Sequence, residues 1–220
     1  MPSLVRQRRD ELCDLLVELT DEQWQAETLC VGWDAGDVAA HLIVREREPW
    51  TGPGLFLGGP FAALNDRRRE ATKARGRAAM VATLRAGPPW PLSGPLAASQ
   101  IVEDWIHEQD VRRGGAATAA GAPDDRLGPL LWTSAKRFAR RTLALGADLV
   151  VELTDGTRRH RLRSRHMAPL ATATCDEPDV TVAGAAGELL LYVAGRDRAD
   201  VTVTGEDRAR AVLAASPRSL

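Results

Sequence analysis

The hydrophobic rhythm of this 220-residue chain changes once, near Gly146, and that change limits the folds open to it. Before it, apolar residues recur three and four apart. Leu12, Leu15, Leu16 and Leu19 make one such stripe, and Leu127, Leu130, Leu131, Ala135 and Phe138 another. That spacing lines one face of a helix. After Gly146, Leu149, Val151 and Leu153 alternate as a half-buried strand would. "TDGT" at 154–157 reads as a hairpin turn, and "RRHRLRS" as a basic returning strand. "DVTVAG" and "ADVTVTG" read as short strands, "AAGELLLYVAG" and "EDRARAVLAA" as helices. The expected fold class is α+β: a helical bundle over residues 1–146 and a small α+β domain over 147–220.

Start and stop signals divide the bundle. Thr20 and Gln23 are spaced as a capping box, and Asp34 and Asp37 repeat that logic before "VAAHLIVRERE". Pro49 and "TGPGLFLGGP" at 51–60 end this helix in a loop suited to act as a lid over a pocket. One helix is expected from Phe61 to Arg85. Another runs from Leu96 to Arg113, stopped by Gly114 and Gly115.

Bulk chemistry removes several functions. Lys and Arg total 29 against 30 Asp and Glu, so no basic excess draws in a nucleic-acid backbone. No stretch nears the roughly 18 apolar residues of a membrane span. The N-terminal segment lacks the apolar core of a secretory leader. Three cysteines, Cys13, Cys30 and Cys175, are odd in number and far apart, which fits a reducing cytoplasm rather than a disulfide framework. Cys30 reads as buried and inert.

Chemistry concentrates in "IVEDWIHEQDVRR", residues 101–113. Glu103 and His107 are four apart and share a helix side; Asp110 extends that polar stripe, while Val102 and Ile106 mark a neighbouring, core-facing side. A solvated face explains the charges; a metal site explains the spacing. Imidazole and carboxylate together suit a borderline cation such as zinc, and bundles hold metals with two ligands from one helix and a third from another. His41, among apolar residues, reads on its own as a hydrogen-bonded core histidine. His160 and His166 read as surface histidines. Spacing alone leaves both accounts of the stripe open.

Three stretches together resemble the mycothiol-dependent maleylpyruvate isomerase family: "CVGWDAGDVAAHL" (30–42), "EDWIHEQDVRR" (103–113) and "VTVAGAAGELLLYVAGRDRADVTVTGEDRARAVL" (180–213). The resemblance implies a DinB-like four-helix bundle followed by a sterol-carrier-like domain. It implies a divalent metal, usually zinc, held by His41, Glu103 and His107. It implies a low-molecular-weight thiol, mycothiol, as cofactor or cosubstrate, and a small electrophile as partner. It also implies an arginine of the C-terminal domain near the substrate, for which Arg196 is the candidate.

The expected chemistry is isomerisation or thiol S-transfer. Metal coordination favours a thiolate over a thiol, and the thiolate is the nucleophile. Asp110 would act beside the metal, orienting His107 or holding the thiol. Trp33, Trp50 and Trp105 are candidates to line the pocket, Trp33 against the cofactor. A metal-binding bundle without turnover, or a small-ligand carrier, is the alternative. The chain is expected to act as a monomer or homodimer.

Overall fold

A computed structural model describes residues 3–48, 59–115, 125–143, 148–165, 168–172 and 177–216. The chain forms two compact units, Met1–Ala122 and Pro123–Leu220. The α+β class holds, but the division falls well before residue 146. The helix at 128–142 was expected to complete the bundle. It belongs instead to the second unit, where its Thr142 hydroxyl donates to Val193 O at 2.6 Å.

The first unit contains α1 (Leu4–Glu18), α2 (Asp21–Gln25), α3 (Ala35–Arg47), α4 (Gly59–Lys73), α5 (Arg77–Arg85) and α6 (Ala97–Arg113). Both expected capping boxes form, Thr20 with Gln23 and Asp34 with Asp37. Each satisfies backbone donors that the first helical turn leaves without partners. The single helix expected over 61–85 is two. Gly76 at φ 85° takes a left-handed conformation that glycine adopts without steric cost, and the chain turns there between α4 and α5.

Leu12, Leu15 and Leu16 of α1 meet Val38, Ala39, Leu42 and Ile43 of α3, Met80, Val81 and Leu84 of α5 and Val111 of α6 in one apolar core, with Trp24 and Trp33 packed against it. The remaining long helix, α4, lies along α3. The Gly/Pro loop expected as a lid falls on residues 49–58, outside the described residues, and so does Trp50; Gly59 and Pro60 already belong to α4. Among the described residues no helix is long and apolar enough to cross a membrane.

The second unit contains α7 (Gly128–Thr142), β1 (Leu149–Thr154), β2 (Arg159–Arg165), β3 (Ala168–Thr172), β4 (Val180–Ala183), α8 (Ala186–Val193), β5 (Thr202–Gly205) and α9 (Asp207–Ala215). The sheet order is β3-β2-β1-β4-β5; β1 and β4 pair in parallel, and the other neighbours are antiparallel. The expected alternation along β1 fails, because Val150, Val151, Glu152 and Leu153 are all buried. A central strand covered on both faces has no solvent side. Glu152 tolerates this through an ion pair with Arg161 at 2.7 Å.

Candidate metal centre

Helix α6 is polar in sequence yet buried around most of its circumference: Gln100, Asp104, His107, Glu108, Gln109 and Asp110 are buried along with Ile101, Val102, Ile106 and Val111. The split into a polar stripe and a core side is therefore too simple. On this helix, Glu103 and His107 lie one turn apart and bring Oε2 and Nε2 to 3.4 Å. His41, from α3, packs edge-on against His107 with ring centroids 5.0 Å apart. One donor atom each from His41, Glu103 and His107 lie within 4.8 Å of one another. His41 and Glu103 are half-buried and His107 is buried.

Glu103 and His107 are each held by a second group. Arg45 Nη2 pairs with the other side of the Glu103 carboxylate, Oε1, at 3.1 Å. Arg45 Nη1 also donates to Gln100 Oε1 at 3.3 Å. Gln100 Nε2 in turn donates to Glu46 Oε1 at 2.9 Å and Asp104 Oδ1 at 2.8 Å. Arg9, fully buried, closes this cluster. It donates to both Asp104 oxygens at 3.1 and 2.8 Å and pairs with Glu46. Asp110 Oδ2 lies 3.0 Å from His107 Nδ1. With Nδ1 facing Asp110, Nε2 faces Glu103 and His41; in the neutral ring it would offer its lone pair there, the arrangement metal-binding histidines use.

The electrostatics suit a cation. Burial would raise the Glu103 pKa, but the hydrogen bond with His107 and the charges of Arg45, His107 and His41 outweigh it and hold the carboxyl down at about 2. Burial opposes a charged His107 ring, yet Asp110, Cys30 and Glu103 around it push its pKa well above the usual histidine value. Burial pushes Asp104 the other way, up to about 6, despite Arg9 beside it. Two imidazoles and an ionised carboxylate gathered this closely fit a divalent ion of the zinc type, and three protein donors leave a further coordination position.

The remaining candidates separate. Trp33 packs on His41, ring centroids 5.1 Å apart, and Arg69 lies 4.8 Å over the Trp33 ring. Trp105 is half-buried on α6. Arg196 belongs to the second unit, where its Nη1 donates to Ala194 O at 2.6 Å. His166 lies outside the described residues. His160 is half-buried on β2 rather than at the surface; burial, then the charges of Lys136 and Arg140, lower its pKa.

Cys30, expected to be buried and inert, is instead partly exposed and faces the site. Its thiol is half-buried and donates to Asp110 Oδ2 at 3.1 Å. The loop carrying it is tied to the end of α6: Leu29 N–H donates to Asp110 O at 3.1 Å and Gly115 N–H to Glu27 O at 2.7 Å. Gly114 permits this approach, since a Cβ there would meet Glu27 O and Thr28 Cα at 2.6 Å. Asp110, buried with acceptor oxygens to satisfy, was the one hint of a donor opposite.

Residues 5–51 match the family model described as the mycothiol maleylpyruvate isomerase N-terminal domain. Among solved structures, a histidine-to-alanine variant of mycothiol-dependent maleylpyruvate isomerase superposes with a TM-score of 0.60 at 18% identity, covering 93% of this chain and 92% of that one. A second structure of mycothiol-dependent maleylpyruvate isomerase gives a TM-score of 0.55 at 19% identity with the same coverage. No curated protein sequence matches the chain. On the N-terminal family model and on the fold of nearly the whole chain, the resemblance to the mycothiol-dependent maleylpyruvate isomerase family holds.

Proposed function

We propose that this chain is a metal- and thiol-dependent enzyme, an isomerase or S-transferase acting on a small electrophile, with mycothiol as the thiol. One observation carries the reading: His41, Glu103 and His107 bring donor atoms within 4.8 Å of one another inside a bundle of the maleylpyruvate isomerase fold. These three residues would hold a divalent ion, zinc by the nature of the donors. A bound zinc favours the thiolate form of a coordinating thiol at neutral pH, which supplies the nucleophile.

The protein's own groups do the rest. Arg45 holds one Glu103 oxygen and leaves the other facing His107. Asp110 fixes the His107 ring through Nδ1. Trp33 packs against His41 and would offer an aromatic face to a thiol bound at the metal. Thiolate addition, bond rotation and elimination give cis–trans isomerisation; addition or displacement without release gives transfer.

The test is metal content measured together with turnover. Protein purified with zinc is expected to hold about one ion per chain, and the His107→Ala variant to lose it while keeping its far-UV circular dichroism. Equal zinc in both proteins would sink the site. Zinc lost as expected, but no mycothiol-dependent consumption of maleylpyruvate or of other small electrophiles, would leave a metal-binding bundle without turnover.

A further inference from the structure

We propose that Cys30 Sγ, His107 Nδ1 and Asp110 Oδ2 form a second metal site, for a thiophilic ion such as Cd²⁺ or Cu⁺, that shares His107 with the first centre and excludes an ion from it. The three atoms lie within 4.8 Å of one another. Asp110 Oδ2 is 3.1 Å from Cys30 Sγ and 3.0 Å from His107 Nδ1. These are hydrogen-bond separations. A zinc-sized ion, about 2.0–2.3 Å from nitrogen, oxygen and sulfur, would set its ligands only a few tenths of an ångström farther apart, and the larger Cd²⁺ somewhat more. The Cys30 loop therefore has little distance to yield.

Donor chemistry separates the two sets. His41, Glu103 and His107 offer nitrogen and oxygen alone, whereas Cys30 adds a thiolate, which selects soft ions. Asp110 and His107 are buried and Cys30 is half-buried, so an ion enters from the cysteine side. The backbone bonds from Leu29 and Gly115 hold the loop against α6, so the thiol approaches Asp110 from a fixed frame.

The coupling follows from the two nitrogens of one ring. A neutral imidazole has a single lone pair. With an ion on Nδ1, the one N–H left to the ring lies on Nε2 and faces Glu103 Oε2, 3.4 Å away. His107 then has nothing to offer the first centre. On binding, Cys30 releases its thiol proton to solvent, a charged His107 releases its Nδ1 proton as well, and no electrons are exchanged. The donor set stands independently of the proposed function; only the exclusion of the first ion rests on that reading.

Cd²⁺ titration of metal-stripped full-length protein tests the site through the ultraviolet thiolate-to-metal charge-transfer band. The wild type is expected to develop the band at one ion per chain. Cys30→Ser is expected to lose it. His41→Ala, which breaks the first set and leaves the second intact, is expected to keep it, and Asp110→Asn to weaken it. Zinc-loaded wild type is expected to release its zinc as the band grows. No band in the wild type, or a band that survives Cys30→Ser, would overturn the site. A band that grows while zinc stays bound would overturn the exclusion. Zinc binding that persists in His41→Ala would count against the first centre, while the Cys30 comparison still decides the second.

Discussion

The first unit buries a charged cluster beside its apolar core, and the second is almost wholly aliphatic inside. In the first, Arg9, Glu46, Gln100, Asp104, His107, Glu108 and Asp110 are buried among the helices. In the second, the interior includes Val150, Val151, Leu153, Leu162, Val180, Val182, Leu189, Leu190 and Leu191, and the one buried acid among its described residues, Glu152, lies beside Arg161. An apolar interior stabilises by area removed from water. A buried ion pair does so poorly, because desolvation offsets most of its attraction. The aliphatic unit is built for stability. The charged unit accepts a cost in order to hold Glu103 and His107 in fixed poses.

Removing the cation of the buried cluster is the strongest way to break this contrast. Arg9→Ala leaves Glu46 and Asp104 buried without it, and is expected to destabilise the first unit by about 3–5 kcal/mol. Hydrogen exchange read by mass spectrometry should show faster exchange across α1, α3 and α6, with peptides from β1 to α9 unchanged. A loss below about 1 kcal/mol would mean that water reaches the cluster. The apolar counterpart, Leu190→Ala, is expected to cost about 2–5 kcal/mol in the second unit. Its signature is the reverse exchange pattern.

Acidity sharpens the contrast further. Asp104 has its folded pKa raised, chiefly by burial, to about 6. A raised carboxyl contributes stability below its unfolded pKa and loses it as pH rises through the folded value. His107, also raised, has the same sign. The metal-free first unit should therefore lose the Asp104 contribution, on the order of 3 kcal/mol, mostly as pH climbs from about 4 to 6, and the His107 contribution at pH above the usual histidine value. Asp155, at the β1–β2 turn, is instead held down at about 2, its hydrogen bonds with Arg158 and Thr157 outweighing the effect of burial. Its contribution is complete above the ordinary carboxylate range and vanishes as pH falls toward about 2. Urea titrations of stripped protein across this range, followed by hydrogen exchange, check both arms; a first unit that strengthens with rising pH would reverse the assignment. The smallest effect is local. Thr20→Ala removes one side of a capping box and should cost about 1 kcal/mol, seen as faster exchange in α2 alone.

What could be read in advance was whatever a few neighbouring residues decide. Both capping boxes, the span of α6, and strands β1, β4 and β5 depend on local spacing. The edge strand β3 did not show itself, because Pro169 reads as a loop signal although edge strands tolerate proline. Arg9 sits at helical spacing with Leu12 and Leu16, on their buried face, yet its charge made it look solvated. The pairing of Glu103 with His107 was legible from the four-residue interval. Cys30 beside Asp110 was not, since that contact spans most of the first unit and depends on how a loop folds back onto a helix end.

The ligand candidates also stand far apart along the chain. His41 lies on α3 and Glu103 on α6, about 60 residues later, a loop whose closure costs entropy that grows only slowly with length. An ion gripping both would act as a removable cross-link between those helices. It would add stability that rises with the logarithm of free metal. The bundle that receives the ion would thus be tightened by it, and its resistance to unfolding would report the metal supply around it.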